Sequence, residues 1–170
     1  MNTLVIYDSK FGNTERIAEA IARGVGSVSD VHVMSTTEAV RALETIAGRP
    51  DLLFVGGPTQ NHGPSAGLRD FMKALPASLR GVPVACFDTR YRGPVLLMGS
   101  AASAAAKALA KAGAEIVAAP ESFYIARRGQ MPLQTLEPGE IERAQQWGRE
   151  MVAATSLTAA SAGGEATVAE

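Results

Sequence analysis

The stretch that decides the fold is TLVIYDSKFGNTERIAEA, residues 3–20. Its first part, Leu4–Tyr7, is a continuous apolar run, which is typical of a strand buried on both faces of a sheet. From Ile17 to Val25, apolar residues recur at helical spacing with charged residues between them. The six residues between these elements, Ser9–Thr14, suit neither of them. The stretch therefore predicts a strand, a tight turn and a helix.

The same alternation continues along the chain. Further strands are predicted at Val31–Met34, Leu52–Val55 and Val82–Phe87, and a fifth, broken around Pro120, at Glu115–Ala118 and Ser122–Ile125. Further helices are predicted at Glu38–Ala47, Leu68–Leu75, Gly99–Ala112 and Gly139–Ala154, with a loop over Arg127–Pro138. Strands that alternate with helices indicate a parallel sheet covered on both faces and joined by right-handed crossovers.

The length of 170 residues fits one domain, which we place at residues 1–155. Residues 156–170, SLTAASAGGEATVAE, are small, polar and without periodicity. We predict that they form a disordered tail.

Composition excludes several classes of function. The formal net charge is −1, so no basic field favours nucleic acid. One cysteine, Cys86, permits no intramolecular disulfide, and it is expected to be an inert core residue. Two distant histidines give no metal-like spacing. No apolar run of membrane-spanning length and no targeting segment is visible, so we expect a cytoplasmic protein.

Parallel sheets bind ligands beyond the carboxyl ends of their strands. The first loop there, Ser9–Thr14, precedes a helix N-terminus, where backbone N–H groups and the helix dipole attract an anion. Ser9 and Thr14 add hydroxyl groups, Gly12 permits close approach, and Asn13 can donate an amide or cap the helix. The loop matches neither the P-loop nor the GxGxxG pattern. It predicts a phosphate site, although a plain capped turn explains the same residues.

Two further loops follow the third and fourth predicted strands. PTQNHGP, residues 58–64, exposes backbone groups, and its His62 can stack on an aromatic ligand or simply face solvent. DTRYRGP, residues 88–94, offers the flat ring of Tyr91. Arg90 and Arg92 can hydrogen-bond an anionic or carbonyl-bearing ring edge, or can be ordinary charges on a solvated loop.

Together the three loops resemble those of the flavodoxin family. The family's phosphate loop, (S/T)-x-(S/T)-G-N-T, is matched at Ser9, Gly12, Asn13 and Thr14, and its G-x-P-T stretch is matched by GGPT at 56–59. The resemblance covers about residues 3–154. It implies an α/β fold of three layers, a doubly wound five-stranded parallel sheet of order 2-1-3-4-5, with FMN held by the three loops.

The cofactor-binding residues that the resemblance implies form three groups. They are Ser9, Lys10, Phe11, Gly12, Asn13 and Thr14 around the phosphate, Pro58, Thr59, Gln60, Asn61, His62 and Gly63 at the central ring edge, and Asp88, Thr89, Arg90, Tyr91, Arg92 and Gly93 on the pyrimidine side. No catalytic residue and no metal ligand is assigned.

The sequence departs from the family at three points. Phe11 replaces a hydroxyl residue of the phosphate loop, and Gln60 stands where many flavodoxins have tryptophan. The net charge is near neutral, whereas the family is usually strongly acidic. We therefore expect the reduction potential of the bound flavin to be higher than in typical flavodoxins.

The resemblance implies an FMN-binding flavoprotein that transports electrons to redox partner proteins or a small-molecule acceptor. Two alternatives stay open at this point. One is an oxidoreductase of the same fold, an FMN-dependent NAD(P)H:quinone reductase, with oxidation of a tetrapyrrole precursor as a related activity. The other is a flavin-free interaction module, since a fold does not fix a function.

Overall fold

A computed structural model of the chain describes residues 1–26, 29–45, 49–129 and 131–164. One mixed sheet runs through its centre. Its strands are β1 Asn2–Tyr7, β2 Asp30–Ser35, β3 Leu52–Gln60, β4 Gly63–Pro64, β5 Pro83–Arg90, β6 Glu115–Ile116, β7 Glu121–Arg128 and β8 Met131–Leu136.

The sheet has the order β2-β1-β3-β5-β7-β8, with β4 paired to β3 and β6 paired to β5. Strands β2, β1, β3, β5 and β7 are mutually parallel. They follow the predicted order 2-1-3-4-5, and β6 and β7 are the two halves of the predicted fifth strand. The parallel flavodoxin-like fold is therefore confirmed, with two antiparallel additions, β4 and β8.

Six helices are described. They are α1 Asn13–Val25, α2 Thr36–Thr45, α3 Ala66–Lys73, α4 Val95–Met98, α5 Ala101–Lys111 and α6 Glu140–Gly164, with a short 3-10 turn at Ala77–Leu79. The predicted end of the second helix, at Ala47, lies outside the described residues. None of the described helices is long and apolar enough to cross a membrane.

Side chains that alternate along the strands pack into two separate apolar layers, one on each face of the sheet. Leu4, Ile6 and Cys86 face α2, α3 and α5, whereas Val5 and Phe87 face α1 and α6. This two-sided burial explains why the strands read as continuous apolar runs. The sheet is therefore covered on both faces and opens only at its edges and strand ends.

Helices α1 and α6 approach closely because glycine lies at their crossing. A Cβ atom on Gly24 would lie 2.1 Å from the carbonyl oxygen of Gln145, and one on Gly148 would lie 2.6 Å from that of Ile21. Neither position has room for a side chain. This contact packs α1 tightly against α6.

The predicted loop Arg127–Pro138 is wrong for most of its length. The chain instead continues β7 to Arg128, turns at Gly129 with φ of 59°, and returns as β8. Ile125 and Leu136 lie opposite each other in this ladder, and both are buried. Gly129 lies at the turn and Pro132 on an edge strand, where each is tolerated.

The predicted disorder from residue 156 is wrong for residues 156–164, because α6 continues to Gly164. Alanine favours the helix there. The hydroxyl groups of Thr155 and Thr158 also donate to the carbonyl oxygens of Met151 and Ala154, 2.8 and 3.1 Å away. Residues 165–170 lie outside the described residues, and the domain boundary placed at residue 155 stays a prediction.

Candidate functional site

The first loop has the geometry of an anion cradle. Gly12 is the N-cap residue of α1 and has φ of 78°, a left-handed conformation that glycine adopts without strain. Asn13 and Thr14 then form the first turn of the helix, whose N-terminal N–H groups and dipole attract negative charge. The hydroxyl oxygen of Ser9 is buried and has no hydrogen-bond partner among the described residues. An unmet buried hydroxyl beside a helix N-terminus is suited to an anionic ligand.

Two side chains tie this loop to other elements. The Oγ1 atom of Thr14 lies 2.8 Å from that of Thr89 at the end of β5. The side-chain amide of Asn13 donates to the carbonyl oxygen of Gln134 in β8, at 3.1 Å. The loop is therefore fixed on two sides, and Gln134 reaches it with a positive φ of 52°.

The second loop is shorter than predicted because β3 continues through Gln60. Asn61 and His62 form a two-residue turn with φ of 46° and 65°, and β4 pairs back onto β3. The Nδ1 atom of His62 lies 2.8 Å from the carbonyl oxygen of Leu97. This contact joins the second loop to the segment that contains α4.

Asp88 was predicted to cover the pyrimidine side of the cofactor, but the structure places it elsewhere. Its carboxylate is fully buried and accepts from the hydroxyl groups of Thr59 and Ser100 at 3.0 and 2.7 Å. It also accepts from the backbone N–H of Ala102 at 3.1 Å. Asp88 therefore joins β3 and β5 to the first turn of α5, where the helix dipole favours a carboxylate.

The two predicted arginines diverge. Arg90 is buried, and its Nε donates to the hydroxyl of Ser122 at 2.9 Å. Arg92 is exposed and forms an ion pair with Glu137 at 2.7 Å. Strand β5 ends at Arg90, so Arg92 lies beyond the strand in the exposed stretch that follows it.

Tyr91 lines the cavity, and a cation covers part of its ring. The guanidinium of Arg127 lies over the Tyr91 ring, 4.1 Å from its centroid. That contact is a cation–π interaction, and it leaves at most one face of the ring for stacking on a ligand.

The three segments enclose one cavity of about 480 Å³. Thirteen of the predicted residues line it, namely Ser9, Lys10, Phe11, Asn13, Thr14, Pro58, Thr59, Gln60, Asn61, His62, Thr89, Arg90 and Tyr91. Five do not, namely Gly12, Gly63, Asp88, Arg92 and Gly93. Its volume is within the range of small-molecule sites.

Sequence reasoning missed three lining residues, Met98, Ile125 and Gln134. Ile125 follows from the topology, because the fifth parallel strand ends at the same edge of the sheet. Met98 and Gln134 carry no such signal. They belong to α4 and β8, which the sequence does not predict.

Two ionisable groups near the strands are held neutral. Burial and the hydrogen bond to Glu15, 2.7 Å long, raise the pKa of Tyr7 to about 12. Burial raises the pKa of the Cys86 thiol to about 12, so this thiol is not a nucleophile at neutral pH. Within the described part of the chain, no cluster of histidine, cysteine and carboxylate groups could hold a metal ion.

Comparison with known proteins gives one family. The model of the family described as flavodoxin matches residues 5–149. Among curated protein sequences, none matches this chain.

Several solved structures share the fold. A flavodoxin from the domain Archaea has a TM-score of 0.73 and 21% identity, covering 92% of this chain and 99% of its own. Oxidised Flavodoxin 1 from Bacillus cereus has a TM-score of 0.69 and 22% identity, covering 89% of this chain and 97% of its own. The flavodoxin, WrbA-like protein from Agrobacterium tumefaciens has a TM-score of 0.66 and 20% identity, covering 92% of this chain and 98% of its own.

Proposed function

The chain belongs to the flavodoxin family, and from this premise we propose that it binds FMN and carries electrons. One observation supports the proposal most strongly. Ser9 lines the cavity, its hydroxyl oxygen is buried without a partner among the described residues, and it lies in the loop that leads into the N-terminus of α1. A phosphate oxygen at that position would accept from the hydroxyl and from the backbone N–H groups of the first turn.

The residues present fit such a group. Gly12 leaves open space above the loop, since a Cβ atom there would meet no described atom within 4 Å. Phe11, which replaces the hydroxyl residue of the family motif, is 58% exposed and lies at the rim. The missing hydroxyl therefore removes one donor but puts no bulk inside the phosphate site.

We assign the other two segments to the flavin ring. Gln60, Asn61 and His62 line the cavity, and Asn61 and His62 form a tight turn whose backbone groups suit the polar edge of a flat ring. Arg90 and Tyr91 also line it. When bound, FMN supplies the redox chemistry, and the protein supplies binding, orientation and electrostatics.

Exposed apolar side chains beside the cavity favour a carrier. Leu96 and Leu97 are 95% and 67% exposed on α4, next to the lining residue Met98. Apolar groups that protrude around a site are typical of contact surfaces. They suit brief contact with a redox partner protein, and a small-molecule acceptor could use the same opening.

A titration of FMN with the purified protein tests the proposal. We expect stoichiometric quenching of flavin fluorescence at micromolar concentration. Ser9→Ala should weaken binding about tenfold, because a hydrogen bond to a charged group contributes roughly 1.5–3 kcal/mol.

Ser65→Ala is the matched control. Its hydroxyl is also buried without a partner among the described residues, but Ser65 does not line the cavity. We expect this variant to bind FMN as the wild type does. Absence of quenching by the wild type would favour the flavin-free interaction module, and rapid NAD(P)H oxidation with a quinone would favour the reductase.

A further inference from the structure

Arg90 is a buried cation with unused hydrogen-bonding capacity. It is 7% exposed and lines the cavity. A guanidinium has five N–H donors. The Nε donor is taken by Ser122 at 2.9 Å, and Nη1 donates to the carbonyl oxygens of Gly93 and Tyr91 at 2.9 and 3.4 Å. Among the described residues, no acceptor reaches the two N–H groups of Nη2.

The guanidinium is also held in place. Its centre lies 5.6 Å from the centroid of the Tyr124 ring, and its Nε lies 3.8 Å from Asp88. Unlike the hydroxyl of Ser9, Nη2 is not a sealed atom without a partner, so its donors remain accessible, and Arg90 lines the cavity. A fixed guanidinium with two accessible donors beside a cavity can therefore hydrogen-bond an acceptor on a ligand.

Arg90 lies away from the phosphate loop. Successive side chains of a strand point to opposite faces of the sheet. Thr89 contacts Thr14 of the first loop, so Arg90 points to the other face. There its Nη1 holds the carbonyl oxygen of Gly93, in the segment that leads to Met98.

We propose that Nη2 of Arg90 donates to an electronegative edge of the flavin ring, and that this contact makes the protein bind reduced FMN more tightly than oxidised FMN. The inference rests on the proposed function. Reduction of the ring by two electrons and one proton leaves one additional negative charge on it. A fixed cation at the ring edge stabilises that charge, whereas it interacts with the neutral oxidised ring only as a donor.

The nearby carboxylate of Asp88 offsets only part of this effect. Its Oδ1 atom is buried without a hydrogen-bond partner among the described residues and lies 3.8 Å from Nε of Arg90. Its Oδ2 atom accepts from Thr59, Ser100 and Ala102 at the N-terminus of α5. These donors and the helix dipole offset its charge locally.

Arg92 provides a matched control two residues away. Its side chain is 62% exposed, forms an ion pair with Glu137, and does not line the cavity. Removing its charge changes the net charge of the protein as much as removing that of Arg90. Any difference between the two variants then reports position rather than total charge.

The test compares FMN-loaded wild type, Arg90→Gln and Arg92→Gln, each oxidised and then reduced with dithionite. The reduction midpoint of bound FMN relative to free FMN gives the ratio of the dissociation constants of the two forms. We expect the preference for reduced over oxidised FMN to fall about tenfold in Arg90→Gln. In Arg92→Gln it should change less than about twofold. Arg90→Lys, which keeps a charge, should retain more of the preference than Arg90→Gln.

Each other outcome has a defined meaning. Equal weakening of both forms in Arg90→Gln would show that Arg90 contacts the phosphate or acts only on structure, and would overturn the inference. If Arg90→Gln does not fold, the wild type decides, because tighter binding of oxidised than of reduced FMN overturns the inference. Failure of the wild type to bind either form overturns the proposed function and the inference together.

Discussion

The first loop, Ser9–Thr14, and the third segment, Asp88–Gly99, both border the cavity, but they are built in different ways. The first loop takes its shape from its own sequence, with Gly12 turning the chain directly into α1. The third segment takes its shape from distant partners. Asp88 is held by Thr59, and Gly99 packs against the backbone of His62. A locally determined loop tolerates change within itself, whereas a segment built from distant contacts loses stability when one contact is lost.

Asp88→Ala should have the largest effect on stability. It removes a buried acceptor and leaves the donors of Thr59, Ser100 and Ala102 without their partner. We expect a loss of about 4 kcal/mol in the free energy of unfolding, since hydrogen bonds to a charged group are each worth roughly 1.5–3 kcal/mol. Urea denaturation measures it. Asp88→Asn, which keeps an oxygen acceptor, should lose less, and equal losses would contradict the hydrogen-bonding account.

A pair of glycine variants compares the two segments directly. Gly99 and Gly12 have nearly the same φ, 73° and 78°. A Cβ atom on Gly99 would lie 2.0 Å from the carbonyl oxygen of His62, whereas Gly12 is open. Gly99 also has ψ of 174°, a combination that is essentially confined to glycine.

We expect Gly99→Ala to lower the free energy of unfolding by about 3 kcal/mol, through backbone strain and overpacking. Gly12→Ala should lower it by about 1 kcal/mol, through its left-handed backbone alone. Thermal and urea unfolding of both variants would measure the difference. Equal losses would remove the distinction between a local and a distant cause.

The contact between Asn13 and Gln134 is, with that between Thr14 and Thr89, one of two points at which the first loop also depends on a distant element. Asn13→Ala removes the amide that donates to the Gln134 carbonyl, and should cost about 1 kcal/mol in unfolding free energy. Gln134→Gly keeps that carbonyl and relieves a positive φ. It should therefore leave stability unchanged or raise it by up to about 1 kcal/mol. A loss in Gln134→Gly would show that its side chain is required.

The smallest effect is expected from Tyr7, which hydrogen-bonds Glu15 behind the first loop. The pKa of Tyr7 is raised to about 12 in the folded protein, against 10.0 for the free side chain. Between these values the unfolded chain loses a proton that the folded protein keeps, so stability falls as pH rises from about 10 to about 12. Tyr7→Phe should make that fall less steep in urea unfolding across this range. An unchanged slope would show that Tyr7 does not titrate in this way.

The fold could be predicted from sequence because its causes are local. Doubly buried strands such as Leu4–Tyr7 and Leu52–Val55 are continuous apolar runs, and α1 shows a helical period. The first loop could be predicted for the same reason. In contrast, β8 is an edge strand held by its pairing with β7, and α4 is a single turn held between Gly93 and Gly99.

The surroundings of Asp88 and Arg92 differ from those that the sequence suggests, and the difference has the same origin. Asp88 and Arg92 lie in a stretch that the sequence presents as one exposed loop. The structure instead buries Asp88 against α5 and pairs Arg92 with Glu137, 45 residues further along. Composition does not show such partners, because they depend on which elements the topology brings together.

The most direct test of the central claim, that the first loop holds a phosphate, compares FMN with riboflavin, which has the same ring without the phosphate. We expect the wild type to bind FMN at least about a hundredfold more tightly than riboflavin at neutral pH, since several charge-assisted hydrogen bonds depend on the phosphate. Equal affinity for the two ligands would show that Ser9–Thr14 is only a turn into α1, and would contradict the account.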